Sequence, residues 1–246
     1  MFSFVFLSLF PEQTRSFFLK GLMKQSFDRG DFDFSVIDLR LFGQGKHLKV
    51  DGYPYGGKQG MVLRADVLYD AIVSIPNYQD YELMCPCPKG VSLTPAYLND
   101  CSQKQIKGFI LIPGYYEGID ERLFDLLPIH RFKVGAFVMS SGELPALMFC
   151  DALIRRLPGV LGNERSWQDD SFEQSLLEHP QYSQPRDVHG LCVPDVLVSG
   201  HHENVKTWKQ QMALKETLFN DPNLLVESTL NDSQREQLVH ILQEVS

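Results

Sequence analysis

The sequence predicts an α/β protein built on a mostly parallel sheet, with a second, smaller and mainly helical domain at the C-terminus. Three observations support this class. Over the first two-thirds of the 246 residues, short runs rich in aromatic and β-branched residues alternate with stretches of helical period, the pattern of strands separated by covering helices. Composition then turns polar at 163–171, NERSWQDDS, which reads as a linker. Beyond it a Pro-punctuated segment (Pro180, Pro185, Pro194) leads into two helical stretches. The expected division is 1–164, a linker over 165–172, and 173–246.

The elements follow in order. Phe2–Leu9 has the aromatic, β-branched character of a buried strand and is stopped by Pro11-Glu12. It lacks the basic flank and small-residue cleavage site of a secretory leader. A helix over Thr14–Ser26 precedes a strand over Phe34–Arg40, and Ala65–Ile75 has helical period. Strand Tyr81–Cys85, helix Thr94–Cys101, and strands Gly108–Pro113 and Val134–Ser140 come next. In the helix that ends at Leu157, Ser141 can cap and Pro145 suits the first turn, where a missing N–H costs little. Leu147, Met148, Phe149, Ala152, Leu153 and Ile154 leave it apolar almost all round, as in a helix buried on most sides. The C-terminal helices are read over Glu203–Phe219 and Asp232–Val245.

Hydrophobic residues at 43% and charged residues at 22% exclude disordered, collagen-like and disulfide-rich miniature classes. With 23 Lys+Arg against 31 Asp+Glu, the net charge of −8 argues against coating nucleic acid or membrane through bulk positive charge, but leaves room for a local basic site. No stretch approaches the ~18 consecutive apolar residues of a membrane helix. Five scattered cysteines suit reduced thiols in a cytoplasm. In Cys85-Pro-Cys87 the single intervening residue is poor metal-ligand spacing, so strand-end thiols are the reading there and no metal ligand is assigned.

Four segments stand out as loops able to carry chemistry. Asp51-Gly-Tyr-Pro-Tyr-Gly-Gly-Lys-Gln-Gly-Met61 is glycine-dense without the order of a dinucleotide or P-loop motif, which by itself describes a flexible turn. Gly114–Arg122 places acidic and aromatic groups at a strand's carboxyl end, where α/β folds put ligand sites. Val134–Pro145 runs from a strand into the buried helix, whose first amides can serve a polar ligand. Last, Asp169-Asp170 follows Arg155-Arg156; a carboxylate base near a guanidinium suits proton abstraction with stabilisation of the developing negative charge.

Taken together these segments resemble one family, the bacterial tRNA (guanine-N1-)-methyltransferases of the knotted SPOUT superfamily. The resemblance rests on Ser8-Leu-Phe-Pro-Glu12, Pro54-Tyr-Gly-Gly57 with Gly60-Met61, and Tyr116-Glu-Gly-Ile-Asp-Glu-Arg122. It continues through Ser140-x-Gly-Glu-Leu-Pro-Ala146, Pro158-Gly-Val-Leu-Gly162 and Asp170-Ser-Phe172 to Pro180-x-Tyr-x-x-Pro185, Val193-Pro-x-Val-Leu197 and Ser199-Gly200. It implies a trefoil knot at the end of the α/β domain, S-adenosylmethionine as methyl donor, and Mg2+ dependence. It further implies a homodimer with a shared active site, and tRNA carrying guanosine at position 37, after another guanosine, as substrate. Carried over by position, the cofactor pocket comprises Cys85 and Cys87, then Gly114, Tyr116 and Glu117, then Val134, Gly135, Ala136, Phe137, Val138 and Met139, with Gly142 and Pro145. Asp170 takes the general-base position and Arg155 the position that steadies the guanine oxygen.

The chain also departs from the family pattern. Tyr53 and Tyr115 stand where the family usually has Arg, Lys58 and Ser141 where it has Gly, Ala136 where it has Asp, and Phe137 where it has Tyr. From His201 onward, four cations (Lys206, Lys209, Lys215, Arg235) face seven carboxylates, so tRNA contact rests on few charges. Two alternatives stay open on sequence: a knotted methyltransferase acting on another RNA, and a catalytically weak relative that binds tRNA or cofactor.

Overall fold

The computed structural model describes residues 2–57, 59–161, 170–173, 175–228 and 230–245. The chain forms two compact units, Met1–Glu164 and Arg165–Ser246.

The first unit opens with β1 (Phe2–Ser8), α1 (Pro11–Phe18), α2 (Gly21–Arg29) and β2 (Phe32–Asp38). The short pair β3 (Asp51–Gly52) and β4 (Val62–Leu63) flanks the glycine-dense segment and is followed by α3 (Ala65–Val73). Then come β5 (Tyr81–Ser92), α4 (Pro95–Ser102), β6 (Gly108–Leu111), α5 (Arg122–Leu126), β7 (Ile129–Lys133) and α6 (Glu143–Ile154). Five of the strands form one sheet in the order β2-β1-β6-β5-β7, and every pairing in it is parallel.

Period-two alternation sorts the core onto the two faces of this sheet. Val5, Leu7, Leu83, Ile110 and Ile112 point to the face covered by α3 and α5. Phe4, Phe6, Met84, Phe109 and Leu111 point to the face where Phe18 of α1, Leu98 of α4 and Phe149 of α6 pack. Aromatic rings dominate that second face: Phe149 lies 5.2 Å from both Phe109 and Phe132, centroid to centroid. Gly108 permits the tight β1–β6 pairing, because a Cβ there would lie 1.8 Å from the Ser3 carbonyl oxygen.

Two expectations need correction. The helix expected over Thr14–Ser26 is two helices, α1 and α2, broken at Leu19-Lys20 with Gly21 at φ +55°. Pro11 starts the first of them, where its missing N–H costs nothing. The strand expected over Val134–Ser140 is a loop, and the strand lies just upstream as β7. The β-branched and aromatic content of that segment misled, because Phe137 is 60% and Val138 88% exposed at the sheet's edge. The chain there folds back on itself, with the Phe137 ring over Gly135.

The second unit contains the hairpin β8 (Asp187–Val188) and β9 (Leu191–Cys192), then α7 (Asp195–Val198), α8 (His202–Asn220), α9 (Asn223–Glu227) and α10 (Asp232–Val245). Positive φ at both His189 and Gly190 gives the hairpin its tight turn. Its small core gathers Leu176, Leu214 of α8 and Ile241 of α10. Buried Thr217 accepts the Leu177 N–H at 2.8 Å and donates to the Ala213 carbonyl at 2.7 Å, which joins the segment before the hairpin to α8. No helix among the described residues is long and apolar enough to cross a membrane.

Fully buried Phe149 is a sharp probe of the aromatic face. Phe149→Ala is expected to cost about 3–5 kcal/mol, read as a lowered urea midpoint of the first unit's unfolding transition.

Candidate functional site

The carboxyl ends of β5, β6 and β7 carry three loops that close around a cavity of about 360 Å³. That volume falls within the range of about 300–1,000 Å³ typical of small-molecule sites.

The first wall comes from β5 itself. Beyond Met84 this strand pairs only with β7, and its register shifts between Pro86 and Val91. Pro86 is tolerated because β6 has already ended there. The resulting bulge presents Cys85, Cys87, Pro88 and Lys89 to the cavity.

The second wall is Gly114–Glu121, directly after β6. The Gly118 N–H donates to the Tyr115 carbonyl at 2.9 Å, closing a turn in which Tyr116 holds φ +57° and Gly118 +124°. The glycine-dense segment supports this turn. The Glu117 N–H donates to the Met61 carbonyl at 3.0 Å and the Leu63 N–H to the Gly118 carbonyl at 2.9 Å. Gly60, at φ +105°, lies so close to the Glu117 side chain that a Cβ would stand 2.6 Å from its Cγ. Burial first, and then nearby Asp51, push the Tyr116 phenol up from its ordinary value. The first two sequence-predicted loops are thus one structure.

The third wall is the loop after β7. Val134, Gly135, Phe137, Val138 and Met139 line the cavity, and Gly142 and Pro145 close it at the start of α6. Ala136 is not among the lining residues. The Gly142 N–H donates to the Gly114 carbonyl at 2.7 Å, and Tyr115 and Ser141 form an isolated antiparallel bridge. A Cβ at Gly142 would meet the Gly114 nitrogen at 2.7 Å, so only glycine permits this approach. Ser141 does not cap α6 as expected. The N-cap residue is Gly142, and Ser141 Oγ accepts only a 3.4 Å contact from the Glu143 N–H.

Sequence reasoning missed Arg131, Glu121 and Phe124, which also line the cavity. The Arg131 guanidinium carbon sits 3.6 Å from the centroid of the Phe124 ring and Arg131 pairs with Glu121. That hydrogen bond is the chief cause that holds the Glu121 carboxyl below its ordinary range. The position of Arg131 within β7, opposite Cys85 on β5, is the signal that would have found it, had the strand been placed correctly.

The two residues expected to be catalytic fall in different units. Arg155 follows the last turn of α6, its N–H donating to the Asp151 carbonyl at 3.1 Å. Asp170 belongs to the second unit, where its carbonyl accepts the Glu173 N–H at 3.3 Å. Lys58, Gly162, Asp169 and most of the expected linker lie outside the described residues.

A larger cavity of about 820 Å³ opens at the other end of the sheet, beside Phe2, Asp80 and Lys107. It mixes cations with carboxylates and takes in none of the sequence-predicted site residues. Ligand sites in parallel sheets lie at the strands' carboxyl ends, so the smaller cavity is the functional candidate.

Comparison with known proteins agrees with this geometry. A family model described as tRNA (Guanine-1)-methyltransferase TrmD matches residues 2–227. The chain belongs to this family. A tRNA (guanine-N(1)-)-methyltransferase from Halalkalibacterium halodurans is 40% identical over 235 residues, 95% of each chain. Its counterpart from Geobacillus kaustophilus is 37% identical over 94% of this chain and 95% of its own. One from Dictyoglomus turgidum is 37% identical over 97% and 96%. Family membership carries the SPOUT α/β assignment and the enzyme class.

The five cysteines are all free thiols. Burial pushes Cys85 up to about 12 and Cys101 up to about 11, and raises Cys150 well above its ordinary value. These three stay protonated near neutrality and are poor nucleophiles and metal ligands. With Ellman's reagent at pH 8, exposed Cys192 is expected to react in the native protein, and Cys85, Cys101 and Cys150 only after unfolding. Rapid native labelling of Cys85 would contradict the closed β5 wall.

Proposed function

We propose that the protein transfers a methyl group from S-adenosylmethionine to N1 of guanosine 37 in tRNA that carries a preceding guanosine. The observation that carries this reading is the cavity at the carboxyl ends of β5, β6 and β7, which gathers the positions expected to bind the donor, Ala136 apart. Relatives spanning nearly the whole chain are named tRNA (guanine-N(1)-)-methyltransferases.

The lining fits the donor's chemistry. Bound there, S-adenosylmethionine supplies an electrophilic methyl group on a positively charged sulfur. Cys85, Ile119, Phe137 and Val138 offer an apolar surface for an adenine ring, while Glu117 and Glu121 bring carboxylates toward the cation. The family resemblance implies a donor bound in bent form by the loops of a trefoil knot, and here two of the cavity loops are joined by the Gly142–Gly114 hydrogen bond. Among the described residues no group of three His, Cys, Asp or Glu could hold a metal ion. Mg2+ therefore enters as a dependence carried by the resemblance, and no step is routed through it.

Guanine N1 carries a proton at neutral pH, and its lone pair must be freed before it can attack. Asp170 removes that proton as general base. Arg155 stabilises negative charge spreading onto the base oxygen. The cavity walls contribute by holding the donor in line with N1. The family resemblance implies a homodimer whose active site is shared between the subunits. The tRNA phosphates meet local cations: Lys206 and Lys209, three residues apart on α8, are both exposed. A cytoplasmic location fits the free thiols.

Purified protein with methyl-labelled donor is expected to label a transcript carrying guanosine at position 37 and not one carrying adenosine. Label in neither, with donor binding intact, would turn the reading to another RNA or to a binding protein without turnover. Asp170→Ala is expected to lower kcat by about 10²–10⁴-fold while donor affinity stays within about twofold. Equal turnover would remove Asp170 from the base role. Light scattering at micromolar concentration is expected to give a dimer; a monomer would contradict the shared site.

A further inference from the structure

The two loops that close the cavity are tied to the rest of the unit through one carboxylate that does not touch the cavity. Glu143, the first residue of α6, is 1% exposed. Ser8 Oγ donates to its Oε1 at 2.5 Å, Thr14 Oγ1 donates to the same oxygen, and the Tyr115 hydroxyl donates to Oε2 at 2.5 Å. Among the described residues the side-chain partners of this buried carboxylate are hydroxyls, and the adjacent N-terminus of α6 adds a favourable dipole.

Each hydroxyl sits on a different segment. Ser8 ends β1, Thr14 is on α1, and Tyr115 lines the cavity together with Gly114 and Tyr116. Burial and the bond to Glu143 both keep the Tyr115 phenol protonated as a donor, and its ring packs 5.6 Å from that of Phe10, centroid to centroid. On its other side Glu143 follows Gly142, whose N–H grips the Gly114 carbonyl at 2.7 Å. A buried carboxylate is a costly way to hold a fold when apolar groups of the same shape would serve. What it adds is a directional constraint: bonds from Ser8 and Thr14 fix the Glu143 carboxylate, and the third holds Tyr115 against the start of α6.

We propose that Glu143 is a positioning residue for the methyl donor: through Tyr115 it sets the spacing between the Gly114–Tyr116 and Ser140–Gly142 backbones, and that spacing sets donor affinity. This rests on the cavity being the S-adenosylmethionine site.

The test uses the full-length protein and titrates S-adenosylhomocysteine by calorimetry, alongside thermal melts and steady-state kinetics. Tyr115→Phe deletes one hydroxyl and keeps the ring. It is expected to raise Kd, and KM for the donor, about tenfold, the effect of one hydrogen bond to a charged group, with kcat at saturating donor within about twofold. Glu143→Gln, close in shape but uncharged, is expected to weaken binding at least as much. Met23→Ala, at a buried position of α2 outside the cavity lining, is the control for destabilisation. It is expected to lower Tm at least as far as Tyr115→Phe while leaving Kd within about twofold.

Wild-type binding with an unaltered Kd in Tyr115→Phe would overturn this inference alone. So would an equal loss of affinity in Met23→Ala, which would show a purely structural effect. No binding by the wild-type protein would overturn the cavity assignment, and this inference with it.

Discussion

The close contact between Gly142 and Gly114 is the constraint on which the site depends. A hydrogen bond of 2.7 Å and the absence of room for any Cβ bring the loop after β6 against the start of α6. Without that approach the segment after β7 would have no inner boundary, and Phe137 and Val138, which the sheet leaves exposed, would wall nothing. The glycine-dense segment braces the other side of the same loop through Met61 and Leu63. Three stretches far apart in sequence therefore form one enclosure, and the strength of each wall depends on the others.

Much of the sheet was legible because the strand signal was strong where burial was two-sided. Phe4 and Phe6 alternate with Val5 and Leu7, and both faces of β1 are covered, so a continuous apolar run could only be a central strand. The same reasoning failed at Val134–Ser140, where apolar residues serve a cavity instead of a core. Composition does not separate those two uses of a hydrophobic side chain. The division of the first long helix was visible only as Gly21, and one glycine inside a helical period is ordinarily tolerated.

The site was legible in a different way. Its residues were found as ordered motifs, while the reason for their arrangement lay in contacts no periodicity encodes. Tyr115 registers in the sequence only as a departure from the family pattern, yet it holds a buried carboxylate beside the cavity. Arg131 escaped notice because its strand was placed five residues too late. The net charge of −8 similarly describes the surface as a whole and says little about α8, where Lys206 and Lys209 are both exposed.

The proposed donor site is the cavity at the carboxyl ends of β5, β6 and β7, bounded by the Gly142–Gly114 contact. A crystal structure of the protein with S-adenosylhomocysteine tests it most directly. The expected result is density for the nucleoside in the cavity that the Gly142–Gly114 contact bounds, with the ring system against the β5 bulge and Phe137. Density instead in the larger cavity beside Asp80 and Lys107, at the opposite end of the sheet, would contradict it.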